Sequence, residues 1–174
     1  MKRILVVFGL ALALMSASSN IYGQYRKGDK LLNLGFGLNS AYNGGTPFCA
    51  SFEVGVTDDI SFGGGLDYLS AHYSAPPYSY GFTAIYIGAR GSYHFSKLLN
   101  VRNDKWDIYG GLSLGYRSFS WSDNFSYSSG SYGSGIFLGI HAGVRYYFAP
   151  KVGAFFELGA LGSSNSRLGV AFKF

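Results

Sequence analysis

The sequence predicts an all-β fold: a transmembrane antiparallel up-and-down β-barrel of eight strands, preceded by an N-terminal signal peptide. Three observations carry this expectation. Stretches of roughly 8 to 14 residues alternate apolar with small or polar residues, and turn-forming breaks separate them. Inside those stretches lie Glu53, Asp67, Arg90, Asp107, Arg117, Arg145, Glu157 and Lys173, all sharing their parity with Gly, Ser and Asn, while Leu, Ile, Val, Phe and Tyr hold the opposite parity. Successive side chains on a strand point to opposite faces, so one face is apolar and the other carries four acids and four bases. Closed around its charged face, such a sheet is greasy outside and polar within. Finally, only 13% of the residues are charged and 18% are aromatic. Soluble domains carry about 25% charge, so much of this surface is expected to face something other than water.

The chain has 174 residues, the size of one domain. It begins Met1-Lys2-Arg3, continues with an apolar run from Ile4 to Met15, and passes through small and polar residues to Gly23. A basic start, a short apolar core and a small-residue boundary read as a secretory signal peptide over 1–23, with the barrel over 24–174. Cleavage is expected near Gly23-Gln24, with Ala17 as the alternative. The apolar run is too short to span a bilayer as a helix. Losing Lys2 and Arg3 lowers the formal charge from +5 to +3, which, with export, argues against a nucleic-acid partner. Cys49 is the only cysteine, so no disulfide forms within the chain. It lies too far from the leader to be a lipid anchor and reads as a small strand residue.

Each strand is justified by its alternation. The first runs from Leu31 to Asn39, with Leu32, Leu34, Phe36 and Leu38 on one face, and the turn-rich segment Ala41 to Pro47 follows. In the second, Phe48, Ala50, Phe52, Val54 and Val56 oppose Cys49, Ser51, Glu53 and Gly55, and Asp58-Asp59 turns the chain. The third sets Ile60, Phe62, Leu66 and Tyr68 against Ser61, Gly63, Gly65 and Asp67. Ser70 to Gly81, with Pro76-Pro77 and several tyrosines, reads as a loop. The fourth opposes Ile85, Ile87, Ala89, Tyr93 and Phe95 to Tyr86, Gly88, Arg90, Ser92 and His94, before a charged connection from Ser96 to Lys105. The fifth places Trp106, Ile108, Leu112, Leu114 and Tyr116 opposite Asp107, Tyr109, Gly111, Ser113, Gly115 and Arg117. Ser120 to Ser134 is the longest expected loop. The sixth runs from Ile136 to Phe148 with His141 and Arg145 on its polar face, and Ala149-Pro150-Lys151 turns it. The seventh has Ala154, Phe156, Leu158 and Ala160 opposite Phe155 and Glu157. Gly162 to Arg167 closes the last hairpin, and the eighth shows Leu168, Val170, Phe172 and Phe174 against Gly169, Ala171 and Lys173.

Eight strands is an even number, and each is about long enough to cross a bilayer at a tilt. A closed barrel satisfies every backbone group in lipid, which an open sheet cannot. A soluble sandwich or lipocalin-like barrel would instead have to pack eight rows of large apolar residues inside. With both termini periplasmic, the long Tyr/Ser/Gly-rich connections face outward and the short ones inward, Ser96 to Lys105 excepted. Tyr68, Tyr93, Phe95, Trp106, Tyr116, Tyr146 and Phe148 at the strand ends fit interfacial girdles. Most remaining charges fall at the periplasmic end, leaving Asp123 and Arg167 for the external loops. In the lumen, diagonal counting across hairpins predicts an Arg145, Glu157, Lys173 cluster, with Glu53 near Arg90 and Asp67 near Arg117.

Eight strands leave an interior just wide enough for side chains, which Tyr86, Tyr109, Phe119, Tyr147 and Phe155 share with the charges. A plugged lumen is therefore expected. No catalytic, cofactor-binding or metal site is expected: His94 and His141 lie on separate strands without further convergent ligands, and His72, near Ser70 and Tyr73, lacks the nucleophile, base and orienter spacing of an enzyme. Gly63-Gly64-Gly65 precedes no helix, so it is not a phosphate loop; it reads as permitting a strand to bend. Segments 70–81 and 120–134, rich in Tyr and Ser, are adaptable contact surfaces for an external ligand.

The C-terminal strand Leu168-Gly169-Val170-Ala171-Phe172-Lys173-Phe174 resembles the insertion signal of small eight-stranded outer-membrane barrels. Its outward residues are Leu168, Val170, Phe172 and Phe174. The stretch from Tyr93-His94-Phe95-Ser96 through Asn103-Asp104-Lys105-Trp106-Asp107 to Tyr109–Tyr116 is also similar to that family, which includes the barrels of outer-membrane proteins A and X and the short porin-family barrels of Gram-negative bacteria. The resemblance implies an outer-membrane location, contact with outer-membrane lipid, insertion by the barrel assembly machinery and a monomeric barrel. It implies no single activity. A structural or surface-interaction role is expected, with a narrow channel or small-hydrophobe route, and a lipid-modifying enzyme, as the alternatives.

Overall fold

A computed structural model describes residues 25–42, 44–75, 78–122 and 132–174. The expected signal peptide, Pro76-Pro77, Asp123 and most of the segment 120–134 lie outside these residues. Eight strands form: β1 (Lys30–Gly37), β2 (Phe48–Gly55), β3 (Ile60–Ala75), β4 (Tyr78–His94), β5 (Trp106–Ser122), β6 (Gly135–Ala149), β7 (Val152–Ala160) and β8 (Ser166–Lys173). Each pairs antiparallel with its neighbours in sequence, and β1 pairs with β8 from Leu31↔Lys173 to Gly37↔Arg167, closing the barrel. Closure leaves no sheet edge at membrane depth, so the wall can face hydrocarbon without unpaired backbone groups.

The alternation sorts the side chains as the residue types demand. Leu34, Phe52, Phe62, Ile87, Leu114 and Leu138 are exposed on the outer wall, whereas Glu53, Asp67, Arg90, Asp107, Arg145, Glu157 and Lys173 are buried inside. Lys30 and Phe174 exchange backbone hydrogen bonds of 3.1 and 2.9 Å, placing both barrel termini at the end that carries the turns 56–59, 96–105 and 150–151. A girdle marks that end: the Trp106 and Tyr146 rings lie 4.7 Å apart and those of Tyr93 and Phe95 4.9 Å.

The strands are uneven in height. Pairing of β2 with β3 stops at Phe48↔Tyr68, while β3 and β4 stay paired to Ala75↔Tyr78 and β4 and β5 to Gly81↔Ser122. The loop expected from Ser70 to Gly81 is therefore mostly a strand hairpin, and β5 reaches into the segment expected to be loop from Ser120. Its Tyr, Ser and Pro content disguised it, yet continuous ladder bonds and β-favouring aromatics extend the sheet beyond the low half of the barrel. His72, expected in a loop, sits within this extension of β3. At the opposite extreme β1 ends at Gly37 rather than Asn39. The Asn39 side-chain carbonyl instead accepts bonds from the backbone N–H groups of Asn165 and Ser166 at 3.0 and 3.1 Å, tying the first loop to the last hairpin.

The Gly63-Gly64-Gly65 run does not break the strand, since its registers with β2 and β4 pass through without a slip. What Gly63 provides is room: a Cβ there would lie 1.9 Å from the Phe52 carbonyl oxygen.

Candidate functional site

Side chains from all eight strands occupy the lumen in three tiers. Nearest the termini, β3, β4 and β5 bring together Ser61, His94 and Asp107. His94 Nδ1 lies 2.7 Å from Asp107 Oδ1, and its Nε2 lies 3.0 Å from the Ser61 hydroxyl. That order is the order of a hydrolase triad. Here, however, Ser61 is 0% exposed and donates its proton to Glu53 Oε2 at 2.6 Å. The serine oxygen is thus committed to a neighbouring carboxylate. The other Asp107 oxygen accepts from Arg145 Nη1 at 2.7 Å, and Arg145 Nε donates to the Asn33 side-chain carbonyl at 3.0 Å. The Arg145 guanidinium also lies 3.8 Å from the Tyr109 ring centre.

Tyr25, just before β1, covers this tier from below. Its ring is parallel to His94 at 3.5 Å, and its hydroxyl donates to the Thr57 carbonyl at 3.0 Å and to that of Ile60. Burial, and after it the nearby Asp29 carboxylate, pushes the phenol above its ordinary range. The seal stays neutral wherever an ordinary tyrosine would.

The middle tier centres on Arg90. Its Nε donates to Glu53 Oε1 at 2.7 Å, and its Nη2 and Nη1 donate to the two oxygens of Glu157 at 2.5 and 3.4 Å. Tyr109 adds a third donor to Glu157 at 2.8 Å. One guanidinium from β4 therefore spans the lumen between β2 and β7. Beside it, Ser92 Oγ and His141 Nε2 lie 2.9 Å apart.

Above, Asp67 receives the Ser163 hydroxyl at 2.6 Å and the Arg167 guanidinium, which also bonds the Leu161 carbonyl. A cavity of about 30 Å³ remains between this pair and Arg90, also lined by Tyr86 and Ser113, a size on the scale of one or two waters. The mouth itself is closed by rings. Tyr42 dips in from the first loop and packs against Phe82, Phe119 and Tyr132 at 5.2, 5.6 and 5.4 Å, above the buried Leu69 and Ala84. Its hydroxyl lies 2.6 Å from that of Tyr86. Burial and that bond raise the Tyr42 phenol above its ordinary range.

Two of the three expected pairings are corrected. Glu53 and Arg90 do meet, but the cluster of Arg145, Glu157 and Lys173 does not form. Arg145 turns to Asp107, Glu157 to Arg90, and Lys173 to Asp29 at 3.7 Å with the Tyr147 ring 5.4 Å away. Asp67 pairs with Arg167 rather than Arg117. Arg167, expected in an external loop, is 6% exposed inside the barrel, because β8 begins at Ser166 and residue 167 shares the inward parity of Lys173. Arg117 lies higher, where its Nε donates to the Gly133 carbonyl at 2.7 Å. Of the C-terminal residues, Leu168, Val170 and Phe174 are exposed on the outer side and Phe172 is half-buried. Tyr25, Tyr42, Leu31 and Phe137 were not foreseen in the interior. For Phe137 the signal was present in its parity with His141 and Arg145; for the two tyrosines, which lie outside the strands, none was.

No family model matches the sequence, and no curated protein matches it. Solved structures do. The attachment invasion locus protein Ail of Yersinia pestis, in complex with the heparin analogue sucrose octasulfate, is 15% identical, with 85% of this chain covering 99% of that one at a TM-score of 0.55. The outer membrane protein OprG of Pseudomonas aeruginosa is 13% identical, with 89% of this chain covering 99% of that one at a TM-score of 0.58. Likeness at such identities is likeness of fold. The chain has the fold of the small eight-stranded outer-membrane β-barrels.

Proposed function

We propose that the protein is an integral outer-membrane barrel, exported by its signal peptide, whose lumen is structural and whose work is done at the external surface: envelope support or contact with partners outside the cell. The observation that carries this reading is the filled lumen, sealed by Tyr25 at one end and by the Tyr42 ring cluster at the other. Every carboxylate within it meets a cation or a hydrogen-bond donor, the condition under which charges persist away from water. Contact with the outside is then left to the raised hairpin of β3 and β4, the upper part of β5 and the segments 70–81 and 120–134. The reading assigns the protein no enzymatic reaction, no cofactor and no nucleic-acid partner, and makes it a monomer inserted by the barrel assembly machinery.

Cysteine labelling on intact cells tests both location and orientation. Cys49 is buried, so a membrane-impermeant maleimide should modify Ser120→Cys in intact cells and Lys151→Cys only after the outer membrane is permeabilised. Equal labelling of both in intact cells, or of neither, would overturn the placement.

A further inference from the structure

We propose that a notch in the barrel wall, between the top of β6 and the β7–β8 hairpin, binds a single-chain anionic amphiphile that reaches it from the surrounding outer leaflet. The inference rests on the membrane placement and orientation proposed above.

The notch follows from a mismatch in register. β6 pairs with β5 up to Arg117↔Gly135, but with β7 only up to Ile140↔Ala160. Residues 135–139 therefore extend past the end of β7, which at this point folds back on itself through bonds from Gly159 to Asn165 and from Leu161 to Ser164, of 3.0 and 3.2 Å. Ile136 and Leu138 show the effect: at 80% and 72% they are the most exposed large apolar residues among those described.

Behind that gap lies a cleft of about 200 Å³. Arg117, Phe137 and the buried Tyr42 and Tyr86, whose hydroxyls bond each other, form its inner side, while the exposed Leu138, Ala160 and Asn165 stand at its outer rim. The bond from Arg117 Nε to the Gly133 carbonyl fixes the plane of the guanidinium at the cleft. Gly162 forms part of the lining with φ +97°, and a Cβ there would come within 2.9 Å of the Tyr86 ring. A side chain at 162 would be both strained and in the way.

A cation beside the bonded pair of phenols at the inner end, and the aliphatic Leu138 and Ala160 at the outer end, match a molecule with an anionic head and a hydrocarbon tail. Guanidinium takes the oxygens of a carboxylate or phosphate in a fixed fork. The tail would leave past Leu138 and Ala160 into the bilayer, so only the head and its first methylenes need space. The cleft is smaller than the roughly 300 Å³ at which pockets for drug-sized ligands begin, which selects a compact head over a glycosylated one.

The test uses the full mature protein in phosphatidylcholine nanodiscs, with decanoate, decyl phosphate and decanol as probes in ligand-observed NMR. At least one of the two anionic probes should bind saturably, and which of them binds more tightly identifies the head. Decanol, and either anion with Arg117→Gln, should bind about tenfold more weakly, the loss of one charge-assisted contact. Ala160→Trp, at an exposed position, should block binding while leaving the heat-modifiable gel mobility of a folded barrel intact. Decanol binding as tightly as the anions, no saturable binding of either anion, or undiminished binding by Ala160→Trp would overturn the site. The cysteine labelling above reports separately whether the orientation has failed.

Discussion

Glu157 shows how a membrane barrel tolerates charge inside. It is 1% exposed, yet its oxygens receive two bonds from Arg90 and one from Tyr109. Replacing one member of such a buried pair costs roughly 3–5 kcal/mol, because the partner charge is left uncompensated. Glu157→Gln should accordingly lower the thermal unfolding midpoint in detergent clearly; an unchanged midpoint would mean that the network contributes nothing to stability. Two tyrosines give a finer comparison. The Tyr109 hydroxyl donates to a carboxylate, whereas that of Tyr147 is buried with no hydrogen-bond partner. Tyr109→Phe should cost about 1.5–3 kcal/mol, the range for bonds to charged groups, while Tyr147→Phe should be nearly neutral. Equal losses in a denaturant titration would contradict the assigned contacts. That these residues face inward was legible in the parity of the sequence. Their partners were not, because counting along hairpins finds only neighbours in the wall. Arg90 on β4 reaches Glu157 on β7 across the lumen, and linear spacing carries no information about that crossing.

Among the elements, the alternating stretches of the sequence located all eight strands, because half-burial imposes the period of two wherever lipid lies on one side. They failed where that condition lapses. Above the low wall of β7, β8, β1 and β2, the hairpin of β3 and β4 does not keep an apolar outward row, since Ser70 and His72 follow Leu66 and Tyr68 in it. There Ser70 pairs with Thr83 and His72 with Gly81, held by backbone bonds to which composition is blind. Amide hydrogen exchange separates a ladder from a loop directly. The amides of residues 70–72 and 80–83 that take part in the ladder should be slowed by orders of magnitude relative to free peptide; exchange at the free rate would restore the loop first expected from the sequence. Cluster packing can be tested in the same region. Phe82 is 3% exposed, stacked on Phe119 at 5.0 Å. Phe82→Ala should cost roughly 3–5 kcal/mol for a buried aromatic and make the mouth more accessible to protease while the membrane wall stays intact.

At the scale of the whole molecule, the inverted pattern decides the environment: the large apolar residues of the outer wall face out, and the charges face one another within. Fold class and solvent were readable from that inversion alone, as were the turns that set both termini at one end. The two seals were not. Tyr25 and Tyr42 sit outside the strands, where no periodicity applies, and only three-dimensional closure brings Tyr25 against His94 and Tyr42 against Phe82. Together with the charged belt they convert a barrel into a plugged cylinder. Planar-bilayer recording tests it most directly. Purified protein, with the gel mobility of a folded barrel, should insert and leave the current flat at moderate voltage. Steady, reproducible conductance steps from the unmodified protein would contradict a sealed lumen.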